Sequence, residues 1–142
     1  MTPTLVSRWR AIPRARRRLI REAAAELVRA RLSLRLQSFR TIIAGGIRPL
    51  GQMADAAASG DIVEAVLSAA RHLPWTPVCF DLGLAVQRML RRRGHDAALH
   101  YGIAMAEPAL KAHVWISLGG TVLIGGEEAG AMREVARYPA AR

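Results

Sequence analysis

PWTPVCFDLGLAVQRMLRRRG, residues 74–94, contains the only cysteine of the chain, Cys79, between a Thr76-Pro77 pair and a basic run that ends in glycine. Thr is a favoured N-cap, Pro is pre-organised for the first helical position, and Gly following Arg91-Arg92-Arg93 is a common helix exit. The stretch predicts a helix that opens at Thr76 and runs Leu82, Val86 and Met89 along one buried stripe. On that count Cys79 is the third residue inside, where unpaired backbone N–H groups and the positive end of the helix dipole favour a thiolate. The alternative is a small apolar residue packed in the core, as free cysteines often are.

Downstream of Gly94 the apolar period shortens from about 3.6 toward 2. Residues 98–104 read as a strand, and a second follows over 112–118. There Ala112, Val114, Ile116 and Leu118 share one face, while His113, Trp115 and Ser117 share the other, non-core face. Gly119-Gly120 reads as a two-residue hairpin turn into Thr121-Val122-Leu123-Ile124. Upstream, apolar residues at three- and four-residue steps from Pro13 to Phe39 predict one long amphipathic helix or two, interrupted by Gly45-Gly46 and Pro49-Leu50-Gly51. A shorter helix is expected from Asp61 as N-cap to about His72, before Pro74. Helices first and an antiparallel sheet after them make the fold class α+β.

A chain of 142 residues is the size of one domain. It divides by charge into a basic helical segment, 1–50, and a core, 51–142. Residues 1–40 hold eleven Arg against Glu22 and Glu26, a net +9 of the chain's formal +10. The first expectation for this segment is a helix packed on the core with solvated Arg outside. A docking surface for an acidic partner is compatible with that, and a helix lying on anionic lipid is a further alternative. Nucleic-acid binding has no support beyond charge, since only Trp9 and Phe39 lie among these arginines as stacking residues. One cysteine makes no internal disulfide, and no run reaches the roughly 18 apolar residues of a membrane span. With no secretory signal pattern over 1–40, a cytoplasmic location is expected.

His113, on the non-core face of its strand, is the partner that Cys79 requires. In such a couple the imidazole takes the thiol proton, the thiolate attacks a carbonyl, and the imidazolium protonates the leaving amine. Water then cleaves the thioester. The backbone N–H of Cys79 would serve one half of an oxyanion hole. The plainer reading of His113 is a strand-surface residue stacked near Trp115, and His72, His95 and His100 add further histidines. No paired spacing of metal ligands and no Gly-Lys-Ser/Thr phosphate loop is present, so no metal or cofactor is implied.

Trp75 through Cys79-Phe80-Asp81-Leu82, the helix end Leu90-Arg91-Arg92-Arg93-Gly94-His95, Tyr101-Gly102-Ile103 and Ala112-His113-Val114-Trp115 resemble the lasso-peptide leader peptidases. That family is the stand-alone form of the microcin-processing protein C-terminal domain. The likeness covers nearly the whole chain, including the Arg/Leu-rich helix that ends Ser38-Phe39-Arg40; its specific parts are the Cys and His blocks. The resemblance implies a transglutaminase-like, papain-related cysteine-peptidase core over 51–142, with Cys79 as nucleophile and His113 as general base and acid. Its substrate would be a ribosomally made precursor peptide. A small leader-binding protein presents the precursor, and an ATP-dependent macrolactam synthetase, the lasso cyclase, closes the ring on the freed amine.

The resemblance also places an acid about a dozen residues after the histidine, and Gly125 stands there. Glu127 and Glu128 could reach back to the distal imidazole nitrogen from a bulged strand end. Ser117 or a backbone carbonyl could orient the ring instead. Two other functions share these residues. One is a thiol-dependent acyl transferase that uses an amine in place of water. The other is a non-catalytic adaptor that binds the precursor or cyclase through outer-face Arg such as Arg17 and Arg21.

Overall fold

Helices lead and strands follow in the computed structural model, which describes residues 2–46, 50–51, 58–106 and 109–139. The elements are α1 (Leu5–Ala11), α2 (Arg14–Leu36), α3 (Phe39–Gly46), α4 (Ser59–Ala70), α5 (Cys79–Arg92), β1 (Ala98–Ala106), β2 (Ala109–Leu118), β3 (Thr121–Ile124), α6 (Gly126–Ala129) and β4 (Arg133–Tyr138). The four strands form one antiparallel sheet in the order β3-β2-β1-β4. This is the expected α+β class.

The expected β1, β2 and β3 are present. Gly119 and Gly120 turn between β2 and β3 with φ of 59° and 84°, values that suit a tight hairpin and resist a side chain. The fourth strand was not anticipated. β4 lies on the open edge of β1, and Arg133, Glu134, Val135 and Arg137 are all exposed, so no buried face imposes the alternation that marks a strand in sequence.

Two helix starts differ from expectation for one reason. α4 begins after Ala58, and the expected cap Asp61 lies in its first turn; α5 begins after Val78, two residues beyond the expected Thr76. In each case an acid stands third inside the helix, where it favours the positive end of the dipole: Asp61 does so from within α4 rather than as its cap, and Asp81 does so in α5, beyond Thr76. The stretch from Pro13 resolves into α2, 23 residues long, and the separate α3. Pro49 lies outside the described residues.

α5 is the centre of the core. Its Gly83 admits the sheet so closely that a Cβ there would lie 2.8 Å from Val114 Cγ1 and 3.5 Å from Ile116 Cδ1. Leu84, Val86, Met89 and Leu90 pack with Ala23, Leu27 and Ala30 of α2 and with Ile62 and Val66 of α4 in one hydrophobic cluster. The basic α2 is therefore part of the core. Ion pairs fix its direction against α5: Glu22 meets Arg92 at 2.9 Å and Arg93 at 2.6 Å, and buried Glu26 meets Arg92 at 2.8 Å and Arg88 at 3.9 Å. Toward the other end, Arg31 reaches Asp81 at 3.7 Å.

Removing a buried carboxylate takes away the nearest counter-charge of arginines packed against it, whereas an exposed pair contributes little. Glu26→Ala should lower unfolding free energy by about 3 kcal/mol in urea denaturation. Glu64→Ala, which loses only the solvent-exposed 3.8 Å contact with Arg16, should cost less than about 1 kcal/mol.

Candidate active site

Cys79 is the first residue of α5, not the third as the Thr76 cap implied. The extended Val78 caps the helix, and Asp81 Oδ2 accepts the Val78 N–H at 3.1 Å. Asp81 is fully buried, with the Arg31 guanidinium as its counter-charge and its second oxygen lacking a hydrogen-bond partner among the described residues. The first-turn N–H groups, that of Cys79 included, have no acceptor within the helix and point out of its mouth. The thiol is partly exposed at the margin of the core rather than enclosed by it.

The direction of α5 over the sheet sets the level of the thiol. Gln87 donates to the carbonyls of Ala97 at 3.3 Å and Tyr138 at 2.8 Å, at the end of the sheet where Ser117 pairs with Ala98. One turn earlier, Gly83 lies over Val114. Another turn back, Cys79 opens the helix, and no hydrogen bond joins it to His113 among the described residues. By alternation the His113 ring leaves the strand on the face opposite Val114 and Ile116, together with Trp115. At that point β2 has passed its last pairing with β3, Ile116 with Ile124, and its flank is filled by Gly125 and α6.

His113 is 8% exposed, and its ring is held on two sides. Its Nε2 lies 2.9 Å from the Gly125 carbonyl oxygen. A carbonyl only accepts, so Nε2 carries the proton and the neutral ring keeps its lone pair on Nδ1. Glu128 Oε2 stands 3.6 Å from that Nδ1 and 3.1 Å from Lys111 Nζ. The hydrogen bond from Lys111, then its charge, hold the Glu128 carboxyl below its usual range against the opposition of desolvation, with the smallest pull from His113.

Of the candidates for orienting His113, the backbone carbonyl is the one in place. Glu128 faces the other ring nitrogen, and Glu127 is exposed on α6. Ser117 is engaged elsewhere: its Oγ is 2.6 Å from His100 Nε2, while His100 Nδ1 pairs with Glu134 Oε1. His100 in turn stacks on Trp115, centroids 5.4 Å apart and planes 4° from parallel, and Trp115 lies 6.3 Å from His113. The face read as non-core is thus itself buried, beneath this polar and aromatic layer. Sequence reasoning missed the network because its parts meet only through the pairing of His100 with Trp115 across β1 and β2. Among the described residues no group of three or more His, Cys, Asp or Glu could hold a metal ion.

Residues 23–137 match the model of the transglutaminase-like superfamily domain, with the helix of Cys79 and the strand of His113 inside the matched span. The chain belongs to the transglutaminase-like superfamily. No curated protein and no solved structure gives a significant match. Cysteine peptidases and acyltransferases are the typical activities of this transglutaminase-like fold. No helix among the described residues is long and apolar enough to cross a membrane.

Within this transglutaminase-like domain, Gly125 accounts for the missing acid. It has φ of +80°, and a Cβ would lie 2.7 Å from the Val114 carbonyl oxygen and 3.0 Å from Trp115 Cβ. Gly125→Asp should therefore fail to supply an orienting acid and should destabilise the fold by about 1–3 kcal/mol, read by thermal or urea unfolding. Lys111→Met should move the Glu128 carboxyl back up toward its ordinary value, measured by carbon NMR titration. The sign follows from the lowered value: the stability Glu128 contributes is present above the ordinary carboxylate range and is lost as pH falls through its own, lower pKa.

Proposed function

We propose that this chain is a cysteine peptidase that removes the leader from a lasso-peptide precursor, working with a separate leader-binding protein and a macrolactam synthetase. One observation carries the reading. His113 is anchored through Nε2 on the Gly125 carbonyl, which leaves the Nδ1 lone pair to serve as base, and Cys79 opens a helix of the same domain. The order and spacing of the Cys79 and His113 blocks support the assignment to leader peptidases.

The cycle balances with these groups. His113 Nδ1 takes the proton of Cys79, and the thiolate sulfur bonds to the carbonyl carbon of the scissile peptide. Charge moves to the carbonyl oxygen, where the Cys79 N–H is available to donate. On collapse the C–N bond breaks, and the imidazolium gives its proton to the departing amine. Water, deprotonated by the same nitrogen, cleaves the thioester and restores the thiol. Glu128 adds a negative charge beside Nδ1 in the step where the ring is positive.

Cys79→Ala should reduce precursor cleavage, in the presence of the leader-binding protein, by more than about a thousandfold in single-turnover mass spectrometry. Undiminished cleavage would remove the peptidase reading. Gly125 favours one rival: with a carbonyl where the resemblance has an acid, the chain could serve as a binding adaptor. An adaptor predicts no cleavage by the native chain and precursor binding that survives Cys79→Ala. An acyl transferase would leave an amine adduct on the product where hydrolysis leaves two unmodified fragments.

A further inference from the structure

Apolar side chains exposed singly are ordinary on any protein surface. Those of α2 form a row instead: Val28, Leu32 and Leu36, at 39%, 51% and 79% exposure, recur every four residues along its outer side. The row ends beside the candidate active site. Arg31, the neighbour of Leu32, reaches Asp81 in the first turn of α5. Phe39, 40% exposed just beyond Leu36, has its ring 5.5 Å from that of Phe80, the residue after Cys79.

Along α2 itself the charge around the row has one sign. The only acids in residues 1–40, Glu22 and Glu26, turn toward Arg88, Arg92 and Arg93 of α5. Arg18, Arg21 and Arg35 are exposed along the length of α2. An occupant of this face therefore needs apolar groups at helical spacing and carboxylates beside them.

We propose that this ridge docks the peptide to be cut: an acidic amphipathic segment of the substrate, upstream of the scissile bond, lays its apolar residues on Val28, Leu32 and Leu36. Its carboxylates face the surrounding arginines, and the chain beyond it passes Phe39 toward Cys79. Position selects a peptide over a lipid surface with the same charge preference. A row that ends at the helix mouth leads a peptide into the site, whereas a bilayer lying on it would obstruct the approach to the thiol. The inference rests on the peptidase reading and names a recognition element of its substrate.

The probe is a fluorescein-labelled synthetic peptide of about five helical turns, with Leu at i, i+3, i+4 and i+7 and Glu between them. Binding to the intact chain is followed by fluorescence anisotropy, beside a scrambled peptide of equal composition and phosphatidylcholine–phosphatidylglycerol vesicles. The amphipathic peptide should bind, and added salt should weaken it. Leu36→Asp alone should weaken binding several-fold, and Leu32→Asp with Leu36→Asp at least tenfold, with melting temperatures near that of the native chain because both positions are exposed. Arg35→Glu should also weaken it. No peptide binding, equal binding of the scrambled peptide, an unchanged affinity in the double variant, or binding to vesicles alone would each overturn the proposal. Anisotropy reads no cleavage and applies equally to the Cys79→Ala chain. Failure here is thus distinguishable from failure of the peptidase reading, which the precursor cleavage assay reports.

Discussion

The seating of α5 on β2 at Gly83 is the contact on which the rest of the molecule depends. A helix that approaches a sheet this closely has one stable height and one direction, because any Cβ at that point would enter Val114. Gln87, one turn further on, donates to the carbonyl of Ala97 just before β1 and to that of Tyr138 at the end of β4. With two points pinned one turn apart in mid-helix, the position of the mouth follows from helical geometry. The thiol is thus located by packing several residues away from it rather than by bonds of its own.

Electrostatics divides α2 into two sides with different tasks. Its carboxylates look inward to α5, where Glu26 is buried and a lost partner would leave charge without water. Its arginines look mostly outward, where each is solvated and contributes little to folding. A total charge of +10 says nothing of this arrangement. What matters is that the few acids are all engaged on one side, so the other presents a field of single sign.

Much of the fold was legible in the residues because local chemistry and tertiary structure agree there. Gly94 after three arginines closes α5, Gly119-Gly120 turns the β2–β3 hairpin, and Val114 and Ile116 alternate into the core as their spacing implies. Reading failed where the deciding partner is remote or the signal is shared. Thr76-Pro77 looks like a helix opening, yet Asp81 sets the start two residues later by capping Val78 from inside. β4 carries no buried stripe and so no period. Of the candidate site, the types and order of Cys79 and His113 could be read directly. Which backbone carbonyl anchors the imidazole could not, because a carbonyl has no letter in a sequence, and the Ser117 alternative is settled only by the β1–β2 register that places it on His100.

The anchor at Gly125 has a consequence for evolution as well as chemistry. A carbonyl belongs to every residue, so no point substitution at that position deletes it, and it neither gains nor loses a proton over any biological acidity. Selection can reach this support only through the shape of the main chain: by holding the left-handed turn that aims the oxygen, it keeps the ring in place. The orientation of His113 is thereby inherited with the fold itself rather than with a third functional side chain.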